Sequence, residues 1–253
     1  MRTSALVRVA TTLVAATAVL GLAAPASQAA LPDPAAPIVT NDSVALYPYG
    51  SAMVDVLAND VDPGDPDGSQ LALCRLPSLD FEDLFSSSSA VIVADAGGLF
   101  GSAGDLMVGI TRRKLAQPVD VEYYVCNYSF LTKAVITVTT KETKPVKVRK
   151  VHGKPGRVRI TNHNDSRVVV MWDGRKHDLG GAVRVPANSS KVVKPTVKKL
   201  QWVAMIGNEQ NSGIAGHGTV RHIKVDPDAK DESTKADLVG LFGIYRQLLQ
   251  RLN

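Results

Sequence analysis

Only two cysteines occur in 253 residues, which excludes a disulfide-dense miniature scaffold and any multi-cysteine zinc or iron–sulfur site. Aromatic residues make up only 5% of the chain. No row of rings therefore interleaves the cations as a platform for single-stranded nucleic acid requires, so nucleic acid is not an expected partner. Past residue 32 no apolar run is long enough for a stable membrane span. A G-x-S-x-G elbow, a phosphate loop, an H-E-x-x-H helix and a G-x-G-x-x-G turn are all absent from the sequence, leaving no motif on which to place a catalytic residue. Five histidines, His152, His163, His177, His217 and His222, fall at no metal-ligand spacing and read as surface residues.

What is present begins with an export signal. Arg2 and Arg8 make a basic start, Val9–Leu22 is an uncharged run rich in Ala, Val and Leu, and Ser27 and Ala29 place small residues ahead of a cleavage site. The segment 1–29 is thus expected to be removed, with the remainder extracellular; association with the cell wall is compatible with this reading. A retained anchor stays open as an alternative, because no charge falls between Val9 and Pro32. A lipoprotein is excluded, since the first cysteine is Cys74.

The overall charge of +5 hides a partition. Leu31–Thr140 carries 5 basic and 14 acidic residues, a net of −9, whereas Lys141–Val225 carries 18 and 5, a net of +13. Such a reversal at one boundary marks two units of different character. The first, 37–140, contains seven short β-type runs separated by Gly, Pro, Asp and Ser clusters: Ile38–Leu46, Ala52–Leu57, Leu71–Leu76, Ala90–Ala94, Leu106–Thr111, Val119–Asn127 and Lys133–Thr140. That is the pattern of a β-sandwich. Pro77–Ser89 reads as a surface loop, and its carboxylates Asp80, Glu82 and Asp83 as a solvated turn rather than a glycosidase pair.

Cys74 and Cys126 both fall on expected strands, and in an exported chain an even pair reads as a disulfide. Two buried free thiols are the alternative. Tyr124, two residues before Cys126, matches the tyrosine corner of immunoglobulin domains, although no tryptophan is available in this unit to pack on the bridge.

The stretches Asn41-Asp42-Ser43-Val44, Val54-Asp55-Val56-Leu57-Ala58-Asn59-Asp60-Val61-Asp62-Pro63 and Asp67-Gly68-Ser69-Gln70-Leu71 resemble the bacterial Ig-like, cadherin-like modules that recur in tandem in surface proteins. The resemblance implies a sandwich and a binding or structural role. It covers about 100 residues in a single copy, with Pro63-Gly64-Asp65-Pro66 inserted in the acidic loop. Similar modules use such loops for calcium. Asp60, Asp62, Asp65 and Asp67 are accordingly the candidate Ca²⁺ ligands, a hard cation demanding several oxygens on a tight turn. Pro63 interrupts the alternating calcium-loop pattern, and a solvated acidic turn is the competing reading; no other cofactor is expected.

The second unit, 145–225, alternates again. Val146 and Val148 interleave with Lys147 and Arg149, and Val158 and Ile160 with Arg157 and Arg159. Further strands are expected at Arg167–Trp172, Ala182–Val185, Ser190–Val197, Gln201–Ile206 and Thr219–Val225. With the aliphatic residues facing inward, Lys147, Arg149, Arg157 and Arg159 line an outer face suited to an anionic partner. Docking on the acidic first unit, or plain solvation, are the alternatives. Trp172 and Trp202 are expected in the core, with sugar stacking as the other possibility.

After a polar linker, Leu238, Leu241, Tyr245, Leu248 and Leu252 recur at three and four, the signature of an amphipathic helix in 226–253. Its apolar face is expected to pack on its own domain, or to serve self-association or a partner groove. The chain therefore reads as all-β, two immunoglobulin-like β-sandwich domains in tandem plus a C-terminal amphipathic helix. The function that fits is a non-enzymatic secreted binding or structural module at the bacterial cell envelope, contacting an anionic polymer or surface protein. A calcium-stiffened adhesion module and an accessory domain of a hydrolase system are the alternatives.

Overall fold

Alternation of apolar and polar residues becomes strand after strand in the computed structural model, which describes residues 35–65, 67, 69–76, 89–96, 104–173 and 179–225. Every regular element among the described residues is a β-strand. The expected export signal, residues 77–88 with Asp80, Glu82 and Asp83, His177 and the expected C-terminal helix lie outside them.

The first half contains β1 (Asp42–Leu46), β2 (Ser51–Asp55), β3 (Ala72–Arg75), β4 (Val91–Asp95), β5 (Asp105–Ile110), β6 (Val119–Cys126) and β7 (Leu131–Thr140). One sheet is ordered β1-β7-β6-β3, and β2-β5-β4 belongs to the other. This is the immunoglobulin arrangement of a B-E-D sheet on a C-F-G sheet, with the first strand running parallel to β7 from Asp42↔Ile136 to Leu46↔Thr140. Inward residues Leu46, Val56, Leu106, Val108, Tyr123, Val125, Ile136 and Val138 form its core.

The second half contains β8 (Lys147–Lys150), β9 (Val158–Asn162), β10 (Val168–Asp173), β11 (Leu179–Val185), β12 (Ser189–Val193), β13 (Leu200–Gly207) and β14 (Asn211–Val220). A three-stranded sheet β12-β9-β8 faces β11-β10-β13-β14, again a seven-strand immunoglobulin-like sandwich. Trp172 and Trp202 sit in its core with Val158, Ile160, Val170 and Leu200, as their apolar strands predict.

The last strand departs from expectation. Thr219–Val225 was the segment expected to be extended, yet the strand is Asn211–Val220, a run rich in glycine. Glycine in a strand marks a close approach. A Cβ on Gly213 would stand 2.5 Å from Tyr47 Cβ and 2.7 Å from the Pro48 carbonyl oxygen, and Gly218 lies against the Trp202 ring. Large rings and a crossing backbone displace side chains from β14, and glycine supplies the room.

That same strand welds the halves together. β14 pairs with β2 through Asn211↔Ala52 and Ser212↔Ser51, which makes one seven-stranded sheet, β11-β10-β13-β14-β2-β5-β4. Ile214 N donates to Pro48 O at 2.7 Å, Met53 N to Gln210 O at 3.0 Å, and Asn211 Nδ2 to Ala45 O at 2.9 Å. Gly50 allows the approach from the other side, because a Cβ there would lie 2.2 Å from Ser212 O.

Candidate anion-binding site

The β8–β9 hairpin brings the four predicted cations together. Its turn is closed by Val151 N donating to Arg157 O at 3.0 Å, with Gly153 and Gly156 at φ of 69° and 75°, a conformation that favours glycine. Across the ladder Arg149 stands directly opposite Arg159, and Lys147 opposite Thr161. Arg157 lies two residues before Arg159, on the same side by alternation. All four are exposed, while Val158 and Ile160 between them are fully buried.

Strand β12 widens this face. Val192 pairs with Arg159 and Ser190 with Thr161, and Ser190 Oγ donates to Thr161 Oγ1 at 3.0 Å. Val192 is 47% exposed. The face thus has a row Val192–Arg159–Arg149 beside a row Ser190–Thr161–Lys147. Like charges directly opposite on an antiparallel pair repel. The ion pair found among the described residues, Lys133 with Glu122, is in the other half, and no described carboxylate forms an ion pair with Arg149 or Arg159. The sheet that joins the acidic half is the other one, which leaves this basic face open.

A second basic feature was not foreseen. Where the halves meet, a cleft of about 840 Å³ is lined in part by Tyr47, Arg113, Lys114, Lys141, Glu142 and Lys144. Lys141 Nζ sits 4.7 Å from the centre of the Tyr47 ring. Its floor is held by Asn164, which accepts from Lys144 N and donates to Lys144 O, both at 2.8 Å. These residues come from four separate connections between strands, so no local spacing announces them.

In the acidic loop the predicted quartet divides. Asp62, 1% exposed, accepts from Gly64 N at 3.0 Å and Asn127 Nδ2 at 3.1 Å. Asp65 accepts from Ser69 Oγ at 2.6 Å and Gln70 N at 3.1 Å, and Asp67 is exposed. Asp60 turns instead toward Asp42 and Asp55. One of its oxygens accepts from Thr40 N at 2.9 Å, and the other is buried without a partner. Burial, then repulsion from Asp42 and Asp55, holds the Asp60 carboxyl above its ordinary value. Asp42 is also raised, by burial first, although Tyr123 Oη donates to it at 2.5 Å. Among the described residues no group of three or more His, Cys, Asp or Glu converges as a metal-ligand set.

Cys74 and Cys126 form a disulfide, with Cα atoms 5.8 Å apart. The bridge joins neighbouring strands of one sheet, beside the irregularity between Leu73 and Arg75, rather than linking two sheets as in antibody domains. Tyr124 is not the expected corner residue. It points outward beneath Arg75, whose guanidinium carbon is 5.8 Å from the ring centre, and Tyr123 is the buried tyrosine.

No protein-family model and no curated protein matches this chain. Among solved structures it aligns with a chimeric titin Z1Z2 functionalized with a KLER exogenous peptide from decorin, at 12% identity over 73% of this chain and 96% of that one, with a TM-score of 0.28. Bovine butyrophilin aligns at 11% identity over 73% and 97%, with a TM-score of 0.24. The N-terminal four Ig domains of Dscam1 isoform 6.9 align at 12% over 73% and 45%, also at 0.24. Scores this low carry no argument; the immunoglobulin-like description rests on the strand order above.

Proposed function

We propose that this chain is a non-enzymatic, exported binding module of the bacterial cell envelope, and that its basic β8-β9-β12 face holds an anionic polymer. The observation that carries the reading is the cross-strand Arg149–Arg159 pair, with Lys147 and Arg157 beside it, exposed on a rigid sheet. A polyanion laid across the face relieves that repulsion while it gains attraction from all four cations. An acidic wall polymer or polysaccharide suits an exported protein, and its negative charges repeat along its length as the cations repeat along the strands. The Ig-like, cadherin-like resemblance of the first half supports a role in binding rather than turnover. An anionic surface protein is the other partner of the same chemistry.

The test is sedimentation with isolated envelope. The parent chain is expected to pellet in low salt and to release as salt rises, since screening weakens exposed charges. Arg149→Glu with Arg159→Glu is expected to abolish pelleting without lowering the melting temperature. Equal pelleting of parent and variant would sink the proposal. Turnover of a polysaccharide or peptide panel, lost on a single carboxylate change, would favour the hydrolase-accessory alternative instead.

A second reading, the calcium-stiffened module, is favoured by one observation: the partnerless, buried oxygen of Asp60 facing the field of Asp42 and Asp55. A cation bound at Asp60 would neutralise that carboxylate and lessen the repulsion it meets from Asp42 and Asp55, although the three do not converge as a ligand set among the described residues. Its test is a thermal melt with and without millimolar Ca²⁺, because a ligand bound only by the folded state raises stability. An unchanged melt removes it.

A further inference from the structure

Five of the six large hydrophobic side chains exposed among the described residues gather at one end of the first sandwich: Ile38, Val61, Tyr128, Phe130 and Leu131. Ile38 and Val61 face each other across a two-way bridge. Ile38 N donates to Val61 O at 2.8 Å, and Val61 N to Ile38 O at 3.0 Å. Tyr128, Phe130 and Leu131 come from the β6–β7 hairpin, and Asn127 ties the two groups together. Its side-chain nitrogen donates to Ala35 O at 2.8 Å and to the buried Asp62 carboxylate at 3.1 Å. Its side-chain oxygen accepts from Ser129 N at 3.0 Å and Phe130 N at 2.9 Å. On this fixed loop Tyr128 is 91% exposed and Leu131 54%. Apolar side chains clustered in water, rather than scattered singly, mark a surface that meets a partner. Carboxylates flank the cluster: Asp60 precedes Val61, and Asp65 and Asp67 follow on the same loop.

The far end of the second sandwich has the opposite charge. Three stretches of chain meet there. Gly156 of the β8–β9 turn lies so near Lys224 that a Cβ on it would stand 2.7 Å from the Lys224 carbonyl oxygen, and Ile223 N donates to Lys198 O at 3.0 Å. Lys154, Lys198, Lys199, Arg221 and Lys224 are exposed on these stretches, and none of them is ion-paired among the described residues. Asp173, at the end of β10, is the described carboxylate at this end. The methylene stems of the lysines, with Pro155 and the half-buried Val197 and Val225, give the basic end an apolar component as well.

The two ends point away from each other. β7 runs from Leu131 at the apolar tip to Thr140 at the junction cleft. β14 pairs with β2 over Asn211↔Ala52 and Ser212↔Ser51 alone. From that seam β2 leads on toward Asp55 and the tip, while β14 leads the other way to Val220 and the basic stretches. One copy therefore cannot bring its own tip to its own basic end.

We propose that the apolar, acidic tip of the first sandwich docks on the basic far end of the second sandwich of another copy, so that copies add head to tail. Charge complementarity selects a second copy, because each end carries the sign that the other lacks. Tyr128 and Phe130 present ring faces to lysines, an attraction that strengthens as water leaves, while Asp65 and Asp67 meet the remaining cations. Contact between two unlike patches is heterologous. With the patches at opposite ends, a pair of copies keeps one free tip and one free basic end, and a third can join.

Sedimentation velocity of the full chain over a range of concentrations is the test. In low salt the sedimentation coefficient is expected to climb with concentration past that of a dimer, and rising salt to return it to that of one copy. A tip variant, Tyr128→Asp with Phe130→Asp, and a basic-end variant, Lys198→Glu with Lys199→Glu, should each sediment as one copy. Mixed, they should form a one-to-one pair and nothing larger, since each keeps the patch that the other has lost. A parent that stays monomeric at every concentration would overturn the proposal. So would self-association that survives in either variant, which would mean tip against tip or a contact elsewhere. Should one variant fail to fold, the parent and the other variant still decide. Binding of a monomeric parent to phosphatidylcholine vesicles, lost in the tip variant, would overturn it too and assign the tip to lipid. Arg149→Glu with Arg159→Glu should associate as the parent does, which keeps this outcome separate from the anion-binding reading.

Discussion

The two sandwiches solve one problem with different materials. The first half has no tryptophan; it fills its core with aliphatic residues around the buried Tyr123, and it is stapled by Cys74–Cys126 on the outer side of its sheet. The second half has no cysteine. It gathers Trp172 and Trp202 into its core and ties its loops with Asn162, fully buried, which donates to the carbonyls of Ser166, Val185 and Pro186. The difference teaches that a small sandwich needs something beyond aliphatic burial, whether a covalent crosslink or large rings with a fully satisfied polar hub. The halves nevertheless share a sheet, so each one's stability bears on the other.

Gly213→Val tests that coupling most severely. The new side chain would strike Tyr47 and the Pro48 carbonyl, backbone that cannot yield without parting β14 from β2. The expected cost is about 4 kcal/mol or more, in the range reserved for overpacking. Calorimetry of the parent should show one transition and of the variant two. A single transition at the parent's temperature would mean that the shared sheet couples nothing.

Removing the staple comes next. Cys74→Ser with Cys126→Ser opens a loop of 52 residues, and chain entropy gives a cost of roughly 3–5 kcal/mol. Hydrogen exchange should rise first in β3, a four-residue edge strand, with β9 and β10 least affected. Uniform acceleration in both halves would show that the staple supports the whole molecule rather than its own sandwich.

Much of this was legible in the sequence, and the failures have identifiable causes. Period two placed Lys147, Arg149, Arg157 and Arg159 on one outer face, because Val158 and Ile160 could face only inward. The same parity contains a signal that went unused. Val121, Tyr123 and Val125 point inward, so Cys126 and Tyr124 had to point outward, which already argues against a bridge between sheets. β14 was missed because Asn211–Val220 is rich in glycine, and glycine reads as a turn until the rings that need the space are known. The junction cleft and the Asp42–Asp60 cluster depend on contacts between distant segments, which no local pattern encodes.

Asn162→Leu should cost about 2–4 kcal/mol, since three carbonyls and the bonded groups of Asn164 would lose a buried partner. The loss should fall on the second half, as the staple's falls on the first. Proteolysis should then cut near the 163–167 and 186–188 loops. Cleavage confined to the first half would break the comparison.

The smallest effect has the opposite sign. Asp60 and Asp42 have folded-state values raised above the ordinary one near 3.8. A raised carboxyl contributes stability that is fully present below the ordinary value and is lost as pH rises through the folded one. At neutral pH the ionised, partnerless oxygen of Asp60 is therefore a cost carried by the first half alone. Asp60→Asn keeps an oxygen for Thr40 N and removes the charge, so the variant should melt higher than the parent at pH 7. The gain should shrink as pH falls and vanish below about pH 3.8, where both chains are neutral at this position. If added Ca²⁺ raises the parent to the variant's melting temperature and leaves the variant unmoved, the repulsion among Asp42, Asp55 and Asp60 is what a cation relieves. A variant less stable than the parent at pH 7 would mean that the charge at Asp60 is supported rather than tolerated, and the description of the first half would change accordingly.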